Sequence, residues 1–473
     1  MQLIQPCAIH WFRRDLRLLD QSSLLAASLT GLPVLPLYIL SRWSGQHAWT
    51  GAPRQEFLCG CLASLAKNLE VHGNRLWIRA GDAVEVLREL IRESGAVELH
   101  FHLDPDPFGK KIEKSVMSMC AELGVACHGH AGIAAHGPTA VLTQSAQPYR
   151  VYTPYSKNWL SLEPPVPVKK IPLLPMHPQA GSIFSERLPD LSWWGLAPSG
   201  AAILPAGEKA ARERLKLAIE QRITSYAAKR DLPAESGTSR LSQDLRWGLL
   251  SAASVLHEAN TALAAAQFGS RQNVEVFIKE LAWREFYLSI LHHFPNVLDE
   301  EFNPDWRGLP WDEPGENYRR WQEGMTGFPI VDAGMRELKA SGHMHNRVRM
   351  ITAMFLTKDL HHDWKLGESW FMRHLVDGEI ASNNGGWQWS AGTGADAAPY
   401  FRIQNPWLQT ARYDPDARYI KRWIPELNDV PAAKLAKPPE AGRPFAAGYP
   451  LPCVDHSTER DRTLAIFKKY RNP

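Results

Sequence analysis

The chain has 473 residues, of which 44% are hydrophobic and 22% charged, with a formal net charge of +3. This length exceeds what one hydrophobic core serves and predicts two or more domains. The composition excludes a disordered chain and a histone-like basic binder, so any nucleic-acid contact must come from a local basic face. No apolar run approaches the roughly 18 residues of a membrane span. The start, MQLIQPCAIHWFRRDLRL, lacks the order of charges and apolar length that a signal peptide needs, so the cytoplasm is expected. None of the six cysteines stands in a CxxC pair, which predicts reduced thiols and no metal.

Residues 1–130 alternate short apolar runs (CAIHWF, VLPLYIL, RLWIRAG, VELHFHL) with amphipathic segments such as EFLCGCLASLAKNLEVHG and DAVEVLRELIRESG. That alternation predicts βαβ units on a parallel sheet. No GxGxxG follows the first strand, which disfavours ordinary nicotinamide binding. Residues 131–205 are rich in proline and predict a connector wrapping the surface. Residues 206–473 turn helical, as in EKAARERLKLAIEQRITSYAA and NVEVFIKELAWREFYLSILHHF. Eleven of the 18 tryptophans lie at or beyond Trp247, a crowding that a large core does not by itself explain.

Four stretches carry chemistry. In SGTSRLSQDLRWG, Thr238 and Ser239 are placed to cap a helix whose free N–H groups bind phosphate, with Arg240 adding charge; a plain N-cap is the alternative. Glu280, Trp283 and Tyr287 share a helix face, so a carboxylate and an indole can engage a base, with Arg284 near for a phosphate. An ordinary amphipathic helix is the alternative there. In HMHNRVRM, Asn346 and Met350 lie one turn apart with Arg347 beside them and Arg349 pointing elsewhere. The Asn346 amide suits reading a base edge or a flavin edge. His343 and His345, like the adjacent His361 and His362, are poorly spaced for a metal. The fourth, LVDGEIASNNGGWQWSAGTGADAAPYFRI, reads as a glycine-rich loop where backbone approaches a ligand, with Asp377 available to a cation. A simple turn leaves Trp387 and Trp389 together unexplained.

With WFRRDLRL, EGMTGFPIVDAGMREL, MITAMFLTKDLHHDW and YIKRWIPEL, these stretches resemble the photolyase/cryptochrome flavoproteins over nearly the whole chain. The resemblance implies a Rossmann-like α/β domain, a connector and a large all-α domain holding a folded FAD that works as FADH−. It implies that Tyr226, Thr238, Ser239, Arg240, Leu241, Ser242 and Arg284 bind FAD, with Asn346 and Glu379 in the cofactor set. Arg349 and Asp377 resemble the ion pair beside the isoalloxazine, and Asn383 the residue facing flavin N5. Trp387, Trp364 and Trp311 resemble a relay carrying electrons inward from the surface. Substrate contact falls to Glu280, Trp283, Asn346, Arg347, Met350 and Trp389, with Arg402 on a phosphate, around a pyrimidine dimer flipped out of the duplex.

Asn346, Met350, Trp389 and Asn383 resemble the class I branch, whose members repair cyclobutane pyrimidine dimers (CPDs) in DNA as light-driven carbon–carbon lyases. The alternative is a blue-light photoreceptor that binds FAD without repair. Glu379, Ile380, Phe277 and His343 depart from the family pattern. For a second, antenna chromophore, Arg54, Asp104 and Arg246 resemble a deazaflavin set, which favours a deazaflavin or another flavin over folate. The partner implied is dimer-containing DNA, acted on by a monomer with no metal and no membrane.

Overall fold

The computed structural model describes residues 5–41, 47–168 and 170–471. Five strands, β1 (Cys7–Phe12), β2 (Val34–Leu40), β3 (Trp77–Ala80), β4 (Ala96–His102) and β5 (Ala126–His130), form one sheet in the order β3-β2-β1-β4-β5. Every pairing is parallel, with Ile9 opposite Leu35 on one side and Leu99 on the other. The first four strands coincide with the four apolar runs. The fifth, ACHGH, has no apolar alternation and was not expected as a strand.

Helices α1 (Ser22–Leu29), α2 (Ala52–Val71), α3 (Ala83–Ser94) and α4 (Pro107–Leu123) cover both faces of the sheet. Local chemistry sets their ends. Asp82 caps α3 by accepting from the N–H groups of Val84 and Glu85, and Gly95 closes it at φ 69°. Leu87, Leu90 and Ile91 of α3 and Met119 of α4 pack with Trp77 and Phe101 on one face. On the other face, Phe12, Leu24 and Phe57 belong to a cluster that runs on through Trp159 to Phe277 and Phe286.

The connector does more than wrap the surface. It forms a helix, Tyr152–Ser161, with Tyr155 and Trp159 buried. Tyr152, Tyr155 and Trp159 recur at i, i+3 and i+7, a helical face that the surrounding prolines masked. Trp159 Nε1 donates to Glu285 at 2.7 Å, which holds this helix against the long helix Phe268–His293.

Beyond residue 206 the described residues contain helices and no strand. The run 375–403, expected as a loop, contains the helix Ile380–Ala391. Of its two glycines, Gly385 is there for packing, since a Cβ on it would overlap the ring of Tyr287 on the long helix, whereas a Cβ on Gly386 would meet nothing. Helix Trp364–His374 packs alongside through Gly367, where a Cβ would overlap the Trp387 ring. A second core, including Trp321, Phe328, Trp364, Phe371 and Trp387, fills this half. All six cysteines are free thiols. Among the described residues no helix is long and apolar enough to cross a membrane.

Candidate active site

A cavity of about 450 Å³ opens in the helical half. Four elements build it, each through its periodicity. The long helix presents Phe277, Glu280, Leu281, Arg284 and Tyr287, with Trp283 beside them, the i, i+3, i+4 spacing of one stripe. Helix Asn346–Met354 adds Asn346, Arg347, Arg349 and Met350, after His345 caps it by accepting from the Arg347 N–H. Helix Ile380–Ala391 adds Ser382, Gly386 and Trp389, again at i, i+4 and i+7. The segment Thr238–Ser242, with Tyr226, Arg230 and Arg246, closes the wall.

Thr238 and Ser239 are on that wall but cap nothing. The helix there is Ser242–Arg246, its N-cap is Leu241, and no side chain caps it. Arg240 takes a left-handed φ of 60°, which turns the chain before the helix starts. Arg222 Nη1 holds the segment by donating to the carbonyls of Thr238 and Ser239 at 3.2 Å each.

The charge of the wall is lopsided. Arg230, Arg240, Arg246, Arg284, Arg347 and Arg349 face Glu280, Asp377 and Glu379. Arg349 does not point elsewhere: its Nη2 lies 2.8 Å from Asp377. Burial alone would raise the Asp377 carboxyl, but the charges of Arg349 and His343 and hydrogen bonds from Arg349 and Ser242 together outweigh it and lower it to about 2. Burial pushes Glu280 above the ordinary carboxylate range, opposed by its ion pair with Arg230. Arg347 pairs with Asp231 at 2.8 Å and lies over the Tyr413 ring. Trp283 is stacked face to face on Tyr152 at 3.6 Å, so the connector stiffens one side of this indole.

Several polar atoms of the lining are buried without a hydrogen-bond partner: Arg240 Nε, Arg246 Nη1, Arg284 Nη2 and Glu379 Oε1. Orphan buried polar atoms are costly and call for a partner. Three guanidinium donors in one cavity suit an anionic, phosphate-bearing ligand. The wall therefore fits an FAD: guanidiniums for its diphosphate, and apolar side chains such as Phe277 and Leu281 for its rings.

Other expected residues fall elsewhere. Asn383 does not line the cavity; its amide donates to the Glu368 carbonyl at 3.0 Å. Trp387 and Trp364 are buried off the wall and Trp311 is half-buried. Trp387 makes its ring contacts with Phe371 at 4.9 Å and Trp321 at 6.1 Å, while Trp364 Nε1 donates to Glu301. Arg402 is exposed, away from the wall. Arg54 and Arg246 converge on the Gly378 carbonyl, at 2.6 and 2.9 Å, and Asp104 pairs with Arg14 at 2.9 Å. Arg246 thus belongs to the main cavity; of the antenna candidates, Arg54 joins the two halves of the chain directly, and Asp104 does so only through Arg14. Glu379 joins them through an ion pair with Arg14. Arg230 and Tyr152 were missed in the sequence, since each acts through a partner far along the chain. A larger, shallower trough of about 900 Å³, lined by residues such as Asn68, Glu208 and Arg212, contains none of the expected residues.

A parallel α/β domain joined to a helical body with an arginine-rich, aromatic-walled cavity is the architecture of a flavin-dependent photoenzyme. The family model described as DNA photolyase matches residues 8–172, and that described as the FAD binding domain of DNA photolyase matches 277–469. A deoxyribodipyrimidine photo-lyase of Agrobacterium fabrum is 38% identical over 483 residues, spanning 99% of this chain and 98% of the relative. A crystal structure of a bacterial class III photolyase from Agrobacterium tumefaciens superposes with a TM-score of 0.91 at 37% identity, covering 100% of this chain and 99% of that one. An archaeal photolyase from Sulfolobus tokodaii, described with two FAD molecules and a novel light-harvesting cofactor, gives a TM-score of 0.84 at 27% identity and covers 98% of this chain and all of that one. The chain belongs to the DNA photolyase family. It is a DNA-repair flavoenzyme with an FAD-binding helical domain.

Proposed function

We propose that this protein, a cytoplasmic monomer, splits cyclobutane pyrimidine dimers in DNA with FAD held in the 450 Å³ cavity. The observation that carries the reading is that cofactor-type and base-type groups share one cavity. Unpartnered arginine atoms lie on the same wall as Glu280, Trp283, Asn346, Met350 and Trp389. When bound, reduced flavin supplies the light-driven electron.

The chain's own residues do the rest. Arg240 and Arg284 hold the diphosphate, and the Arg349–Asp377 pair stands beside the ring system. Trp283, stiffened by Tyr152, and Trp389 offer flat apolar surfaces to two linked bases extruded from the duplex, an extrusion that costs a few kcal/mol. Glu280 hydrogen-bonds the pyrimidine edge. It is now paired with Arg230, so an entering base competes with that arginine for the carboxylate. Arg347 and Arg402 contact backbone phosphates. Trp387, Trp364 and Trp311 carry electrons toward the cofactor, and Asn383 tunes it.

The class I reading of the branch rests on these cavity residues alone, since a class III enzyme matches the whole chain. A second chromophore of flavin or deazaflavin type is proposed over folate; the Sulfolobus protein, described with two FAD molecules, supports the flavin form. At Arg54, Asp104 and Arg246 it would compete with contacts those side chains already make. The test is blue light on a dimer-containing oligonucleotide with the reduced, flavin-loaded protein. Restored thymines are expected, and an intact dimer overturns the proposal.

A further inference from the structure

Strands β4 and β5 share an alternation of histidines, Glu98-Leu-His100-Phe-His102 and Ala126-Cys-His128-Gly-His130. Their parallel register sets His100 beside His128 and His102 beside His130. Side chains two apart point to one face of a strand, so the pleat gathers these imidazoles together. The His100 ring stacks on those of His128, at 4.6 Å, and His130, at 5.4 Å. Glu98 closes the group: its Oε2 lies 2.9 Å from His100 Nε2 and 3.7 Å from His128 Nε2. One donor atom from each of the three lies within 4.8 Å of the other two.

We propose that Glu98, His100 and His128 form a binding site for a borderline divalent transition-metal ion, Zn²⁺ or one of similar chemistry. Two imidazoles and a carboxylate are a three-ligand set that leaves the fourth tetrahedral position to water. Imidazole donors select such ions over Mg²⁺ and Ca²⁺. Ligand atoms around a tetrahedral ion stand ~3.4 Å apart, given metal–ligand bonds near ~2.1 Å. The two separations from Glu98 already bracket that value.

The surroundings support the site. His100 is buried, and its Nδ1 lies 3.1 Å from His130 Nε2. With Nε2 on a metal, Nδ1 carries the proton and donates to His130, the orienting hydrogen bond that metal-ligating histidines take. The side chains of His128 and Glu98 are 45% and 27% exposed, which gives an ion its path from solvent. The ion would tie the edge strand β5 to β4. None of these residues lines the 450 Å³ cavity, so this site and the repair reaction stand or fall separately.

The test uses the full chain, purified with its flavin and stripped of metals with a chelator. Co²⁺ binding is followed by visible absorption and Zn²⁺ binding by equilibrium dialysis, with Mg²⁺ as the control ion. One ion per chain, visible Co²⁺ bands and a higher Tm with Zn²⁺ are expected. His128→Ala, at an exposed position, should keep the metal-free Tm and bind Zn²⁺ roughly tenfold or more weakly. His257→Ala, an exposed histidine elsewhere, should bind like the parent. If His128→Ala lowers the metal-free Tm, Glu98→Gln is read in its place. The proposal is overturned if the parent binds Zn²⁺ no better than Mg²⁺, or if the variant binds it as tightly as the parent.

Discussion

Arg349 and Asp377 meet across the cavity wall at 2.8 Å, one from the helix Asn346–Met354 and the other from the turn before the helix Ile380–Ala391. The pair joins two helices and faces the proposed cofactor. Asp377→Asn strands a largely buried guanidinium, a loss of about 3–5 kcal/mol when one partner of a buried pair is removed. The variant is expected to purify with little flavin and a lowered urea midpoint. Full flavin content would contradict the assignment.

The same carboxylate predicts a pH response. Its folded value, about 2, lies below the unfolded carboxylate value, so the stabilisation is complete above about pH 4. It is lost as pH falls through the folded value. Flavin retention should fall between about pH 4 and pH 2, and Asp377→Asn should lack that component of the acid titration.

Arg14 and Glu379 form an ion pair between the end of β1 and the cavity, with Asp104 and Asp106 also on Arg14. Burial raises the Arg14 and Glu379 desolvation cost, and the mutual charges offset it. Arg14→Met should lower stability by about 3 kcal/mol, since it removes the nearest cation from Glu379, leaving Arg284 at 4.0 Å, and takes a partner from Asp104 and Asp106. Arg14→Met with Glu379→Gln should recover part of that loss in urea unfolding. A double variant no better than the single one would show that Glu379 is held by other groups.

Gly367→Ala places a methyl group in the Trp387 ring, an overpacking change of about 1–3 kcal/mol. Both Tm and the rate of flavin photoreduction should drop, since this indole is a step of the proposed relay. Trp387→Phe should abolish photoreduction while repair by chemically reduced enzyme continues.

Glu280→Gln keeps the shape of the cavity and removes the charge paired with Arg230. Repair per absorbed photon should fall roughly two- to tenfold, one hydrogen bond's worth. Flavin content should be unchanged. A loss of flavin instead would move Glu280 from the substrate to the cofactor.

The first four strands are legible because each carries a run of apolar residues, buried along all of β1 and most of β2 and β4. β5 escaped because it lies at the edge, half-exposed, with histidines where apolar residues were sought. The helix Ile380–Ala391 hid behind Gly385 and Gly386, since glycine disfavours helix by roughly 1 kcal/mol against alanine. Only the approach of Tyr287 shows why glycine is kept. Most wall residues were readable, because helical spacing sets Glu280 near Arg284 and Asn346 near Met350. Long-range partners such as Arg230, Tyr152 and Arg14 carry no local signal at all.

The cluster that links Phe12 and Leu24 to Phe277 and Phe286 has a consequence for how this chain comes apart. Melting either half strips apolar cover from the other, and buried Arg54 loses the Gly378 carbonyl at the same moment. Heat or denaturant should thus unfold the whole chain in one step, with flavin release coinciding with loss of the sheet. Either half made alone should be a sticky, incompletely folded chain.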